Sequence, residues 1–357
     1  AYTTCFALFV AERGTAAKHV VYALERQGFV RPHLADENDK RTIYLVDMHE
    51  PLMFLHNLET TIKEPFASNP AVLRAIEKNH KKLQIAMTKL YPGNLVLSLS
   101  SGVMHHRLVD RITSLNDVPR EPLVPRRLGK NMCVPFGKIL RGKVVPNTVT
   151  KTLHTDKVYE PDLESYTIEP FPYYSPLNSQ IETIRSFDRP VILVDDLVHK
   201  ADRLRVLVPK LRETGIPIKK VVVGVLSGYG RDLMQQLKVP VESIYSMPNV
   251  RQWFVESTLY PFIGGDTVRR EEMKVAGLQP SINMILPYAT PKLSGCSREA
   301  LVEFSACCIE NSRDLLQVLE AEYRKQYAKN LTLSRLSEAV ILPLCPDKGS
   351  CMEYDEN

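Results

Sequence analysis

The feature of this chain that most constrains its fold is an apolar run that leads directly into two adjacent carboxylates. Residues 191–194 read Val-Ile-Leu-Val, Asp195 and Asp196 follow, and residues 201–211 have a helical pattern. An apolar run of this kind is typical of a parallel strand that is buried on both faces. Because open α/β sheets bind ligands at the carboxyl ends of their strands, the pattern predicts a ligand site at the two carboxylates.

The composition is that of an ordinary globular protein. Of the residues, 44% are hydrophobic and 24% are charged, as in ordinary globular proteins. The length of 357 residues predicts two domains or three. A net charge of +5 without a Lys/Arg block predicts no nucleic-acid partner. No apolar run reaches the roughly 18 residues of a membrane span, so we expect no membrane association. Seven scattered cysteines predict a reducing, cytoplasmic location. Because Ala1 replaces an initiator methionine, we expect a fragment of a longer protein.

Alternating helices and strands precede the acidic pair. Residues 71–91 have an amphipathic helical pattern, and an apolar strand at 95–99 leads into Ser100, Ser101 and Gly102. A helix is predicted directly after this small loop. Backbone amides and a helix dipole then favour an anion at the loop.

The alternation continues after the acidic pair. Residues 219–226 predict another buried strand, which ends at Ser227 and Gly228. A short helix at 232–237 and a strand at 241–245 follow. The whole pattern predicts an α/β fold with an open, mainly parallel sheet and flanking helices.

The acidic pair favours a specific chemistry. Two adjacent carboxylates repel each other unless hydroxyl groups, a cation or hydrogen-bond donors occupy the site. A ribose diol meets this need, and Mg²⁺ would bridge sugar and pyrophosphate oxygens. We therefore predict Asp195 and Asp196 as catalytic and Mg²⁺-binding residues, and His199 as an acid–base group. The alternatives are that Asp196 only caps the next helix and that His199 packs the loop.

The motif order over residues 95–250 resembles that of a type I phosphoribosyltransferase. The resemblance implies that the acids hold ribose hydroxyls of phosphoribosyl pyrophosphate and that Ser100, Ser101 and Gly102 meet its pyrophosphate. It also implies that the strand ending at Ser227 and Gly228 lies near the nucleobase.

Two segments bear on the phosphate groups in this resemblance. The family carries a mobile basic loop where Lys151 stands, although a solvated hairpin is an equal alternative. The family's small Thr/Gly-rich phosphate loop is replaced by His-Lys-Ala-Asp-Arg at residues 199–203. Lys200 and Arg203 would then bind phosphate by side-chain charge instead of a backbone cradle.

Most of the chain also resembles the C-terminal part of large bacterial cytidylyltransferase-related proteins. The sequence segments that carry this resemblance are residues 133–138, 153–157, 171–176 and 260–266. Those proteins place a nucleotidyltransferase module and an acetyltransferase-like module upstream, which would be partners in the same polypeptide.

The resemblances imply three parts along the chain. Residues 1–58 resemble the end of a GNAT-type acetyltransferase, with strands at 6–10 and 42–46 around a helix at 15–27. Residues 59–290 are the predicted phosphoribosyltransferase-like domain, and residues 291–357 are a helical C-terminal extension.

Two functions follow from these predictions. The first is a multidomain transferase that binds a phosphorylated ribose or nucleotide with Mg²⁺ and transfers a glycosyl group. The alternative is a non-catalytic nucleotide-sensing or assembly domain that has lost the phosphate loop. A homodimer is compatible with either function.

Overall fold

A computed structural model provides the coordinates of the chain. It describes residues 6–12, 24–26, 31–35, 41–125, 127–172, 174–270, 278–291, 293 and 295–346, with backbone alone for 6–12, 31–35 and 41–49. Most of the helix predicted at residues 15–27 lies outside these ranges.

Strands and helices alternate along the described chain. The strands are β1 (Phe6–Glu12), β2 (Arg31–Ala35), β3 (Arg41–His56), β4 (Asn94–Ser100), β5 (Met132–Pro135), β6 (Thr155–Tyr159), β7 (Tyr166–Pro170), β8 (Val191–Val198), β9 (Ile218–Ser227), β10 (Val241–Met247), β11 (Gln252–Val255), β12 (Asp266–Val268), β13 (Gln279–Ile282) and β14 (Leu344–Pro346). The longer helices are α1 (Pro70–Leu90), α2 (Ser101–Leu115), α3 (Leu177–Arg185), α4 (Asp202–Glu213), α5 (Gly228–Gln236) and α6 (Arg298–Tyr327). None of the described helices has the length and apolar character needed to cross a bilayer.

The chain forms two compact units. Unit 1 comprises Ala1–Ser98, Tyr159–Ser165 and Arg251–Asn357, and unit 2 comprises Leu99–Val158 and Tyr166–Val250. These units cut across the three parts expected at residues 1–58, 59–290 and 291–357. That division describes modules along the sequence, and it stays a prediction.

Unit 1 is built around the long strand β3. β1 and β2 pair with β3 antiparallel, β11 pairs with it parallel, and β4 also joins it. The core lies beside this sheet, where α1 and α6 pack against each other. The helical C-terminal segment expected from apolar residues at three-to-four spacing is confirmed, since Leu315, Leu319 and Tyr323 of α6 are buried on one face.

Unit 2 contains the predicted open α/β sheet. Its strands run in the order β10-β9-β8-β5, and every neighbouring pair is parallel. Helices α3, α4 and α5 bury apolar residues in the core of this unit, including Ile181, Leu207 and Met234. The prediction of a mainly parallel sheet with flanking helices is confirmed. The edge strand β5 has only four residues, because the chain turns away into a loop after Pro135.

Candidate functional site

The two predicted acids lie in β8 at the point where its neighbour β5 stops. β5 ends at Pro135, which is in register with Val194, whereas β8 continues to Val198 beside β9. The strand is thus four residues longer than the apolar run that predicted it. Asp195 and Asp196 therefore have β9 on one side and the loop after β5 on the other.

A glycine of that loop packs directly against both acids. A Cβ atom added to Gly137 would lie 2.6 Å from Oδ1 of Asp196 and 2.7 Å from Oδ1 of Asp195. Contacts of this length exclude any side chain at residue 137 unless the acids move. Gly137 and the acids consequently form one closely packed group.

Asp196 is held by the backbone of the same loop. Its Oδ2 accepts the N–H of Lys138 at 2.7 Å, and its Oδ1 accepts the N–H of Ile139 at 3.0 Å. Hydrogen bonds from backbone amides to a carboxylate are charge-assisted and strong. Asp196 thus anchors the loop to β8, one of the two roles that strand geometry allows for neighbouring acids.

Asp195 is the more deeply buried acid. Burial raises the pKa of Asp195 to about 7, the neighbouring charge of Asp196 acts in the same direction, and the positive charge of Arg203 acts against both. The amide of Asp196 donates to Oδ1 of Asp195 at 2.8 Å. A carboxyl group that titrates near neutral pH in a buried position is a candidate for binding or proton transfer.

Two arginines supply positive charge beside the acids. Nη1 of Arg203 lies 3.9 Å from Oδ1 of Asp195, which is a loose ion pair. Arg141 lies with its guanidinium 4.8 Å from the ring centre of Phe171 and donates to the carbonyl of Thr155. Burial lowers the pKa of Arg141 and the charge of Arg203 adds to this, while the nearby carboxylates oppose it.

His199 and Ser227 come together at the ends of β8 and β9. Nδ1 of His199 lies 2.8 Å from Oγ of Ser227, and the same Oγ accepts the N–H of Gly230 as the N-cap of α5. Burial lowers the pKa of His199, and the charge of Lys200 adds to this. Ser227 therefore positions the imidazole of His199, and its surroundings favour the neutral form.

Gly228 has a structural reason to be glycine. Its N–H donates to the carbonyl of Pro248 at 2.9 Å, and an added Cβ would lie 2.6 Å from that oxygen. The close approach joins the end of β9 to the segment that follows β10.

The segment after the acids does not form a backbone cradle. Lys200 is exposed, and Ala201 precedes α4 in a left-handed conformation (φ 52°) without capping the helix. Asp202 occupies the first turn of α4. A carboxylate at a helix N-terminus satisfies the positive end of the helix dipole and so competes with a phosphate.

Lys151 lies in a segment that is bonded to the edge of β5. Its N–H donates to the carbonyl of Cys133 at 3.0 Å, and the N–H of Leu153 donates to Pro135 at 2.9 Å. Residues 133 and 150 form a parallel bridge. The lysine side chain is exposed, but the backbone that carries it extends the sheet instead of forming a hairpin.

Ser100, Ser101 and Gly102 lie at the end of a strand of a different sheet. Ser100 ends β4, which pairs with β3 and not with a strand of the sheet that contains Asp195, and Ser101 and Gly102 begin α2. Oγ of Ser100 accepts the N–H of Val103 as the N-cap of α2, Ser101 is buried, and Gly102 is exposed. The loop of Gly137 and Lys138 is the one that contacts the acids directly.

Sequence reasoning did not select Gly137 or Lys138 as site residues. Their signal is a Gly-Lys pair after a short apolar strand, at residues 132–138. Because β5 has only four residues, its pattern in the sequence was too short to single it out as a strand that ends at a site.

The carboxylate oxygens of the acidic pair fit Mg²⁺ if Asp195 is the protein ligand. Both oxygens of Asp196 already accept backbone N–H groups, so Asp195 is the acid better placed to serve as a protein ligand. Mg²⁺ is commonly bound through one carboxylate, several waters and substrate phosphate oxygens. Asp195 would accordingly hold an ion that arrives with a phosphorylated ligand.

The fold and the acids define an α/β domain with a candidate ligand site at the carboxyl edge of a parallel sheet. No known protein family and no curated protein matches the chain. Among solved structures, it is similar to a purine phosphoribosyltransferase from Pyrococcus horikoshii, with 11% identity over 43% of this chain and 86% of that one and a TM-score of 0.26.

Proposed function

We propose that unit 2 binds a phosphorylated ribose or a nucleotide, together with Mg²⁺, at the carboxyl edge of its parallel sheet. The observation that supports this proposal most is the packing of Asp195 and Asp196 against Gly137, with Arg203 beside them. Carboxylates accept hydrogen bonds from sugar hydroxyls, and arginine recognises phosphate. Such a group of residues matches a ligand that has both kinds of group.

Each site residue has a distinct part in this proposal. Asp195 accepts a ribose hydroxyl or binds Mg²⁺, and Asp196 holds the loop against it. Arg203 and Lys200 bind phosphate by charge, with Arg203 released from its loose ion pair. His199, which Ser227 orients, exchanges a proton with the ligand if the domain acts as a glycosyl transferase.

A non-catalytic binding domain is the alternative, and two observations favour it. The amides of Lys138 and Ile139 are already donated to Asp196, so they are not directed at a pyrophosphate. Asp202 occupies the N-terminus of α4, where a phosphate cradle would need positive potential. A domain that senses a nucleotide needs neither feature.

Calorimetry tests the proposal. The 357-residue chain is titrated with phosphoribosyl pyrophosphate and with nucleoside monophosphates, each with and without Mg²⁺. We expect saturable binding that strengthens with Mg²⁺ and that Asp195→Asn weakens at least tenfold. Glu213→Gln, which neutralises an exposed acid at the end of α4, is the matched control and should bind normally.

The same samples separate the two functions. Release of pyrophosphate in the presence of a nucleobase would establish the transferase, and binding without release would establish the sensing domain. If none of these ligands binds at high micromolar concentration, the proposal for unit 2 is wrong.

A further inference from the structure

Unit 1 contains a second group of residues that could hold a metal ion, in a place where the sequence carries no metal-binding motif. His56, His80 and Glu256 each offer one ligand atom, and these three atoms lie within 4.8 Å of one another. Two histidines and one carboxylate are a ligand set that proteins use for zinc and for related divalent ions.

The parallel pairing of β3 and β11 brings two of these residues together. Val255 of β11 is in register with Leu55 of β3. His56 is the last residue of β3 and Glu256 directly follows β11, so both residues lie at the same end of the strand pair. His80 reaches this end from the middle of α1.

Glu256 is completely buried and is not matched by hydrogen bonds. Its accessible surface is 0%, and neither carboxylate oxygen has a hydrogen-bond partner among the described residues. A buried carboxylate without such partners is costly unless a cation neutralises it. Glu256 thus requires a positive charge close to its carboxylate, from a metal ion or from a protonated histidine.

The histidines approach Glu256 without forming hydrogen bonds to it. Nε2 of His80 lies 2.7 Å and Nδ1 of His56 lies 3.7 Å from Oε2 of Glu256, yet both nitrogens are also buried and without a hydrogen-bond partner. At 2.7 Å this means that the carboxylate oxygen lies off the direction of the ring N–H. The short approach without a hydrogen bond leaves the three ligand atoms available to a metal ion.

Aromatic rings pack around His56, His80 and Glu256. The rings of His56 and His80 lie 4.2 Å apart, and Phe54 packs 4.6 Å from His56. Tyr260 is fully buried, and burial together with the charge of Glu256 raises its pKa.

We propose that His56, His80 and Glu256 bind a divalent transition-metal ion of the zinc type. The three residues supply two neutral imidazoles and one carboxylate, which leaves one position open to water. The other interpretation of the same residues is a buried ion pair between Glu256 and a protonated histidine. The two interpretations differ in whether the chain binds metal.

Competition for Zn²⁺ between the chain and a chelator distinguishes a metal site from a buried ion pair. The metal-free chain is titrated with Zn²⁺ in the presence of a chromophoric chelator, and we expect one tight site per chain. Glu256→Gln and His80→Gln should each weaken zinc binding by at least about 100-fold, the upper end of the loss caused by removing an outer-shell partner. Zinc should raise the melting temperature of the unaltered chain and not of these variants.

Two control variants separate this site from other metal-binding residues. His105→Gln/His106→Gln removes another neighbouring pair of histidines, whose rings lie 5.6 Å apart, and should leave the tight site intact. Asp195→Asn/Asp196→Asn tests the acids of unit 2 and should also retain it. Tight binding that survives Glu256→Gln, or that is lost in either control, would overturn the proposal.

Cobalt provides a test that needs no variant. Co²⁺ bound by two imidazoles and a carboxylate gives visible d–d absorption without an intense thiolate-to-metal band. We expect this spectrum to appear with one equivalent of Co²⁺ and to disappear on addition of Zn²⁺. Absence of the bands, or a thiolate band from the cysteines, would show that these three residues do not bind the metal.

Discussion

Asp196 accepts the backbone N–H of Lys138 at 2.7 Å, and this hydrogen bond joins β8 to the loop after β5, between residues 58 positions apart in the sequence. It fixes the loop after β5 against β8 and holds Gly137 in contact with Asp195. The position of the candidate ligand acid therefore depends on its neighbour. This relationship makes the loop a testable part of the site.

Gly137→Ala should disrupt the site. The new methyl group would lie within 2.7 Å of a carboxylate oxygen of both acids, so the loop or the acids must shift. We expect a loss of about 1–3 kcal/mol in the free energy of unfolding, as for an overpacked core, and at least tenfold weaker ligand binding. Denaturant unfolding and calorimetry measure the two effects.

Gly102→Ala is the matched comparison for Gly137→Ala. A Cβ at residue 102 meets nothing closer than 3.6 Å, and alanine in a helical position should stabilise the chain by about 0.5–1 kcal/mol. If Gly102→Ala weakens ligand binding and Gly137→Ala does not, the anion lies at the loop of Ser100 and Ser101, as the sequence predicted.

The ionisation of Asp195 should make ligand binding depend on pH. Because its pKa is raised to about 7, the carboxylate needed for Mg²⁺ is mostly protonated at lower pH. Affinity for the Mg²⁺-bound ligand should rise with pH through about 7 and level off above it. Calorimetry at several pH values checks this, and the remaining affinity of Asp195→Asn should lack the step.

The Asp195 carboxyl should also make the free energy of unfolding fall as the pH rises. The folded chain binds a proton at Asp195 more tightly than the unfolded chain, whose aspartates have a pKa of about 4. The stabilising contribution is complete below pH of about 4 and is lost as the pH rises to about 7, by an amount on the order of a few kcal/mol. Asp195→Asn should remove this component from the pH dependence of unfolding. An unchanged profile would contradict the burial of this acid.

Arg203→Met should have two linked effects. Loss of the positive charge removes the interaction that lowers the pKa of Asp195, so the pH midpoint of ligand binding should move upwards. Affinity for phosphate-bearing ligands should fall by about tenfold or more, as expected for a hydrogen bond to a charged group. Arg205→Met, an exposed arginine in the same helix, should change neither quantity.

Ser227→Ala should destabilise the junction of β9 and α5. It removes the N-cap hydrogen bond to Gly230 and the contact to Nδ1 of His199. We expect a loss of about 1 kcal/mol, which urea unfolding detects. Ser227→Thr keeps the hydroxyl and should restore most of the stability; failure to do so would indicate that packing, and not the cap, is responsible.

The arrangement of unit 2 followed in large part from the sequence. The apolar run at residues 191–194 predicted a buried parallel strand, and β8 pairs in parallel on both sides. Periodicity also placed α1 within one residue at each end and predicted helices where α2 and α6 lie, because a helix with one buried face needs apolar residues every three or four positions. These features are local and are encoded where they occur.

The loop beside the acids could not be chosen from local pattern. A Ser-Ser-Gly loop after a strand satisfied the pattern for an anion site, but β4 pairs with β3 in another sheet. Which strand becomes the neighbour of β8 depends on the pairing of residues 132–135 with 191–194. No short-range feature of the sequence specifies that pairing.

The sequence by itself therefore determined the existence of an acidic pair on a buried parallel strand, since strand character and charge are properties of consecutive residues. Only the tertiary structure decided that Asp196 anchors a loop while Asp195 is buried with a raised pKa, and that His56, His80 and Glu256 come close together. Burial, hydrogen bonding and the approach of residues 200 positions apart depend on how the chain packs. Residue types along the chain do not report them.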